Sequence, residues 1–291
     1  MIISHKHKFI FLKTIKTAGT SIQAALAEHC GKEDIITGDK INNKNIDKFK
    51  NIPLHMYNPL KDPDGYAKIP PILHHEHVYL SFIKQWLGSE IWNNYFKFAF
   101  IRNPFDLAIS KYYWDYKKRP DKVSKVDKNS GSHIKNFRKY IKDGQLFGSL
   151  GVVNSDKSTE FNWSTDSMGK ETYEEKKEKM KIIKYEHTFY PWLCDGIFYD
   201  DKEGLTRINP DVNPYSNGID IDFVGRYENL DDDINRIGYK LGLKLKLPQL
   251  NANTRDKTKK INEYYDEETA FYIENYYKYD LDRFWKKDNQ I

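Results

Sequence analysis

Two cysteines are all this chain has, Cys30 and Cys194, far apart and in no CxxC or zinc-type spacing. Neither a disulfide framework nor a structural zinc site is suggested by them, and reduced, cytosolic thiols are the expectation. Long apolar runs are also lacking. The N-terminus passes from charged and histidine residues into an apolar stretch too short for a signal peptide or a membrane anchor, which predicts a cytoplasmic protein. A strong charge bias is missing as well: 47 basic against 42 acidic residues leave +5, a surplus suited to an anionic ligand and far below histone-like density. There are no internal repeats and no low-complexity linkers. With 39% hydrophobic and 31% charged residues, the 291-residue chain has an ordinary globular composition and enough length for one sizeable core.

What is present is a recurring strand, loop and helix. Residues 8–12 are apolar, aromatic and β-branched, as a buried strand is, and a glycine-containing turn leads to a helical stretch at 21–26. Residues 96–101 predict a second strand, stopped by Asn103-Pro104. Leu107, Ile109 and Tyr113 then recur at helical spacing over 106–116. A third strand is predicted at 219–225, with a helix reaching Leu241-Gly242. Strands alternating with helices imply an α/β domain with a parallel sheet. Helical patterns also fall at 80–87, 133–142 and 170–185, and residues 117–214 carry no readable motif. Over 266–285, Phe271, Tyr272, Tyr276, Tyr279, Leu281 and Phe284 are spaced for a helix that docks an aromatic face on the core.

Two of the loops carry chemistry. Lys16-Thr17-Ala18-Gly19-Thr20-Ser21 sits where a strand gives way to a helix, and unpaired backbone N–H groups and the helix dipole favour a phosphate there. Gly19 lets the backbone come close and Lys16 adds a point charge, although the same residues would also suit a plain turn. A P-loop kinase places its lysine after the last glycine, whereas Lys16 precedes Gly19, which weakens a nucleotide-kinase reading. In the second loop Arg102 leaves a strand end and Ser110 follows about two helical turns on, so both can face one phosphate. A bidentate guanidinium suits a terminal phosphate dianion. The alternative is a surface ion pair for Arg102 and a tolerated helix hydroxyl for Ser110.

Together the two loops resemble the 5′-phosphosulfate loop and the 3′-phosphate motif of the sulfotransferases, which use 3′-phosphoadenosine 5′-phosphosulfate (PAPS). That family more often has Pro where Ile15 stands and Gly where Ala18 stands. Residues 222–230 resemble the segment that brushes the adenine, so Tyr227 either stacks on the base or is a core aromatic. Residues 250–257, ahead of Tyr264-Tyr265-Asp266, resemble the late loop of the glycan O-sulfotransferases. Arg255 or Lys257 then closes over the nucleotide, or both belong to a solvated charge run. The resemblance covers 8–30, 72–116 and 220–285. It implies a P-loop-NTPase-like parallel sheet flanked by helices in a single domain, 1–291, with 117–218 as an acceptor-side insertion. It further implies PAPS as co-substrate, its bisphosphate PAP as product, and no metal.

Leu73-His74-His75-Glu76-His77-Val78-Tyr79 concentrates side chains that titrate near neutrality. Sulfuryl transfer to an alcohol needs a base for the hydroxyl proton and a cation for the departing phosphate oxygen. Lys16 fits the second role. For the first, His75 and His77 resemble the histidine pair of the heparan sulfate and related uronyl O-sulfotransferases, with Glu76 where those have Gly. His77 is the first candidate base and His75 its partner; Glu76 competes. A surface histidine loop is the bland alternative, and a His-x-His metal site lacks an evident third ligand. His5 and His7 are read as having no role. The acceptor implied is a glycan hydroxyl. Of a different class is a nucleic-acid-binding module, since Lys, Arg and Tyr abound, but they are spread out and form no recognisable binding motif.

Overall fold

The computed structural model of the chain describes residues 1–37, 80–118, 133–148, 175, 221–248, 250, 255 and 258–285, with the backbone alone of 81, 147–148, 197–200 and 205–208. In chain order the elements are β1 (Ile2–Ser4), β2 (Phe9–Leu12), α1 (Gly19–Ala27), β3 (Ile35–Ile36), α2 (Leu80–Asn94), β4 (Phe96–Ile101), α3 (Pro104–Lys118), α4 (His133–Lys142) and α5 (Gln145–Gly148). They continue with β5 (Ile197–Asp200), β6 (Leu205–Ile208), β7 (Phe223–Arg226), α6 (Leu230–Leu241), α7 (Ile261–Tyr264), α8 (Glu267–Tyr276) and α9 (Lys278–Asp280), which runs into a π turn, Leu281–Trp285. The chain divides into two compact units, one of Met1–Ile101 with Trp192–Asn251 and one of Arg102–Pro191 with Ala252–Ile291.

Among the described residues the first unit is built on a five-stranded sheet in the order β3-β1-β2-β4-β7. β4 lies parallel to β2, with Phe11 opposite Phe98, and parallel to β7, with Ala99 opposite Val224. β1 is antiparallel to both β2 and β3. The sheet is therefore mixed, which corrects the parallel sheet expected from the alternation of strands and helices. Residues 5–8 are all that links β1 to β2, enough for a hairpin and too few for the crossover that parallel strands require. β5 and β6 form a separate antiparallel pair.

Phe9, Phe11, Phe98 and Phe100 turn to one face of the sheet, where they meet Ile22, Leu26 and Ala27 of α1 and Ile234 and Ile237 of α6. The rings of Phe9, Phe11 and Phe96 lie 5.8, 5.4 and 5.5 Å from that of Phe98, within the range of favourable aromatic pairs. Ile10, Leu12, Ala99 and Ile101 alternate onto the other face and are equally buried, which is why β2 reads as a continuous apolar run and β4 as one broken at Lys97. A Cβ on Gly225 would stand 2.5 Å from Phe100 Cε1, so β7 needs glycine where it passes that ring. α6 carries Asp231, Asp232 and Asp233 at its positive end and closes on Gly242 in the left-handed region at φ 66°.

In the second unit α4 buries Asn136, Phe137, Tyr140 and Ile141, and its Phe137 ring packs edge-on against Tyr112 of α3, Tyr264 of α7 and Tyr265. The Arg138 guanidinium donates to the carbonyls of Glu263, Tyr264 and Tyr265 at 3.2, 3.0 and 3.0 Å, satisfying the C-terminal end of α7. α8 opens with a reciprocal cap: Asp266 Oδ1 accepts from Thr269 N at 2.9 Å and Thr269 Oγ1 accepts from Asp266 N at 3.0 Å.

The helices expected at 80–87, 106–116 and 133–142 are present and extend to the bounds given above. The third strand starts later than expected, at Phe223, with 219–220 outside the described residues. The helix expected at 170–185 also lies outside them, Glu175 apart, as does Cys194. The aromatic C-terminal helix is present, with Tyr272 and Tyr276 buried. Among the described residues no helix is long and apolar enough to cross a membrane.

Asp34 ties the start of the sheet together. Its carboxylate accepts from Ser4 Oγ at 2.6 Å and from the backbone N–H groups of His5, Lys6 and Gly31 at 2.7, 3.0 and 2.9 Å. Burial pushes its pKa up, but these hydrogen bonds outweigh burial and leave it below the ordinary carboxylate value. Its stabilisation is thus complete above about pH 4 and is lost as pH falls through the lower folded value. We expect Asp34→Ala to cost about 2–3 kcal/mol at neutral pH in urea denaturation, and the difference from wild type to shrink in acid.

Candidate functional site

The loop from β2 to α1 turns through two left-handed residues, Lys16 at φ 57° and Ala18 at φ 61°. Ala18 is the N-cap of α1, and its carbonyl accepts from Ser21 N at 2.9 Å and Ile22 N at 3.1 Å. Alanine offers no side-chain acceptor, so no cap side chain takes up the first-turn amides, and the positive end of the helix dipole sits there. Thr14 Oγ1 donates to the carbonyl of Phe100 in β4 and lies 2.8 Å from Thr17 Oγ1. The hydroxyl of Thr17 is thus turned inward, holding the loop in shape. Lys16 and Thr20 are half-buried, and Ser21 Oγ accepts from Leu250 N at 3.3 Å.

Gly19 serves a neighbour that the loop motif does not include. A Cβ there would lie 2.7 Å from Lys13 Cγ, so the missing side chain makes room for the stem of Lys13, which is buried. Lys13 is a second cation at this loop, and Thr14 is its tie to β4. Neither stands out in the sequence, because packing on Gly19 and bonding to Phe100 are tertiary relations.

Arg102 directly follows β4 in the chain. Asn103 caps α3, its Oδ1 accepting from Phe105 N at 3.0 Å and its carbonyl from Leu107 N at 2.8 Å, with Pro104 in the first helical position. Arg102 is not a surface ion pair. It is buried, with Nε and Nη2 each 2.7 Å from Asp106 Oδ2. Ser110 is buried farther along the same helix. Arg255 Nη1 donates to the other oxygen of Asp106, and the Arg255 guanidinium lies 5.3 Å from the centre of the Tyr264 ring. Arg255 is accordingly no part of a solvated charge run. Tyr265 donates its hydroxyl to the Phe105 carbonyl at 2.7 Å, and burial followed by the Asp106 charge raises its pKa well above the ordinary phenol value. Asp106 is the functional candidate that the sequence reading passes over; its only local signal is an acid in the first turn of a capped helix.

Tyr227 opens a short 3₁₀ turn, Tyr227–Asn229, and is half-buried, outside the buried core of its unit. His75, Glu76, His77 and Lys257 lie outside the described residues. His5 has Nδ1 2.7 Å from the Tyr95 hydroxyl and His7 has Nε2 3.0 Å from the His29 carbonyl, so both are held in structural contacts. Burial, then the charge of Asp34, pushes the free Cys30 thiol up to about 12, which keeps it protonated and unreactive near neutrality. Among the described residues no three His, Cys, Asp or Glu side chains gather as a metal site.

Over residues 1–287 the chain matches the family described as the sulfotransferase family. No curated protein and no solved structure matches it.

The strained and the crowded positions of the first loop predict substitutions of opposite sign. Ala18→Gly relieves a left-handed alanine and should raise unfolding stability by about 0.5–1 kcal/mol. Gly19→Ala drives a methyl into Lys13 and should lower it by about 1 kcal/mol or more, both read by urea denaturation.

Proposed function

The chain belongs to the sulfotransferase family, and on that premise we propose that it moves a sulfuryl group from PAPS to a hydroxyl of a carbohydrate acceptor, leaving PAP. The observation that carries the donor assignment is the loop between β2 and α1. Two left-handed residues turn its backbone into a helix start without a side-chain cap, and Lys16 and Lys13 stand in the same few residues. That arrangement suits a bound anion. Arg102 with Ser110 takes the 3′-phosphate in this reading, supported by the guanidinium's fit to a phosphate dianion. Tyr227, half-buried just after β7, is the aromatic this reading assigns to the adenine, on the likeness of residues 222–230 to the segment that brushes the base.

In the transfer, the acceptor oxygen bonds to sulfur as the bond from sulfur to the phosphate oxygen breaks. The acceptor proton goes to a base, and Lys16 holds the charge gathering on the departing oxygen. His77 is the base in this reading, His75 orients the acceptor, and Glu76 is the competing base. The division of labour between the two histidines rests on the likeness of His75 and His77 to the histidine pair of the uronyl O-sulfotransferases. The carbohydrate acceptor rests on the likeness of residues 73–79 and 250–266 to the glycan O-sulfotransferases.

Two measurements test this reading. PAP at a hundredfold excess over its dissociation constant should add about 2.7 kcal/mol of stability, seen as a raised melting temperature, with ATP and an oligonucleotide far less effective. Indifference to PAP rejects the donor, and a stronger response to ATP or oligonucleotide favours a kinase or a nucleic-acid binder. In turnover, His77→Ala should keep PAP affinity and lose about a hundredfold in rate, while the wild-type rate climbs with pH through a limb near the ordinary imidazole value of about 6.5. Near-normal rates in both His75→Ala and His77→Ala reject the base assignment, and a damaging Glu76→Gln would move it to the carboxylate.

A further inference from the structure

Asp106 lies against both arginines that the nucleotide reading employs. Its Oδ2 takes Arg102 through Nε and Nη2, each at 2.7 Å, and its Oδ1 takes Arg255 through Nη1. The two arginines are far apart in the chain, yet one carboxylate joins them. The three side chains sum to one positive charge, and Arg102 and Asp106 are only 6% and 8% exposed. Two guanidiniums brought together away from water repel one another, and a carboxylate between them is what makes their adjacency tolerable.

The surrounding contacts hold this arrangement in place. Arg255 rests over the ring of Tyr264, whose hydroxyl is 3.1 Å from that of Tyr113. The Tyr265 hydroxyl reaches the Phe105 carbonyl and its ring packs edge-on at 5.1 Å against Phe105, next to Asp106. The segment bearing Arg255 is thereby fastened to the first turn of α3 at neighbouring residues. Contacts of this kind restrict long, rotamer-rich side chains.

We infer that Asp106 is a positioning residue that holds Arg102 and Arg255 together so that both guanidiniums meet the 3′-phosphate, an inference that rests on the PAPS reading above. The sign of its effect separates this role from a simple field. A carboxylate acting only through its charge repels a phosphate, so removing it would tighten binding. A carboxylate that sets two forks in place weakens binding when it is removed.

The test titrates the full chain with PAP and with AMP, which lacks the 3′-phosphate, in a calorimeter. Wild type should prefer PAP. Asp106→Asn should hold AMP affinity within about twofold and lose about tenfold or more for PAP, the scale of hydrogen bonds to charged groups. Unchanged or tighter PAP binding overturns the inference, as does an equal loss for both nucleotides, which a purely structural role would give. Should Asp106→Asn fail to fold, Arg255→Lys keeps the charge and the carboxylate while removing the fork. A loss confined to PAP then supports the inference, and an unchanged ratio of PAP to AMP affinity overturns it. A wild-type protein that does not distinguish PAP from AMP defeats the PAPS reading itself, and the positioning role with it.

Discussion

The parallel pairing of β4 with β2 on one edge and β7 on the other leaves this strand no free backbone and no free face. A strand so enclosed can present chemistry only at its ends. Lys97, the charged residue within β4, shows how tight the constraint is. Its Nζ is buried and satisfied locally by the carbonyls of Trp92 and Tyr95 at 3.0 and 2.9 Å and by Asp222 at 3.0 Å. At the carboxyl end, Thr14 of the neighbouring loop bonds to the Phe100 carbonyl, so the course of that loop follows from the sheet beneath it.

Carboxylates do much of the fastening. Asp34 gathers the first turns of the chain, Asp222 accepts from Lys97 N at 2.7 Å, and Asp233 accepts from Arg226 N at 2.8 Å, stitching the end of β7 to α6. In the second unit Asp115, deeply buried on α3, takes Lys111 and the Tyr140 hydroxyl. Each of these acids meets an N–H, a hydroxyl or a cation, and for the buried Asp34, Asp115 and Asp233 that is the condition on which the charge is tolerated. Asp106 belongs to the same pattern but joins two cations in place of backbone, and that difference singles it out.

The first loop combines strain and close fit. Ala18 holds a conformation that glycine adopts more easily, while the glycine one residue on is needed for space and not for its dihedral angle, since the Lys13 stem passes where a side chain would stand. A loop set by such contacts keeps its amides in one arrangement, which is what recognition of an anion by backbone requires.

The central strands, the helices that follow them in the chain and the two loops at strand ends are legible in the residue pattern. Burial on both faces writes an apolar run, helical packing writes a 3.6-residue period, and Asn103-Pro104 stops a strand, all within a few residues. The mixed character of the sheet was not legible, because β1 is three residues long and carries no period of its own. Nor were the partners of the candidate site. Lys13 against Gly19 and Arg255 against Asp106 are meetings that folding arranges, the second across 149 residues, and a contact at such separation leaves no local spacing to read. That Arg102 is a buried member of a three-residue charge cluster follows from the fold, because the energy of a charge depends on what surrounds it and Arg255 is a neighbour in space and not in sequence.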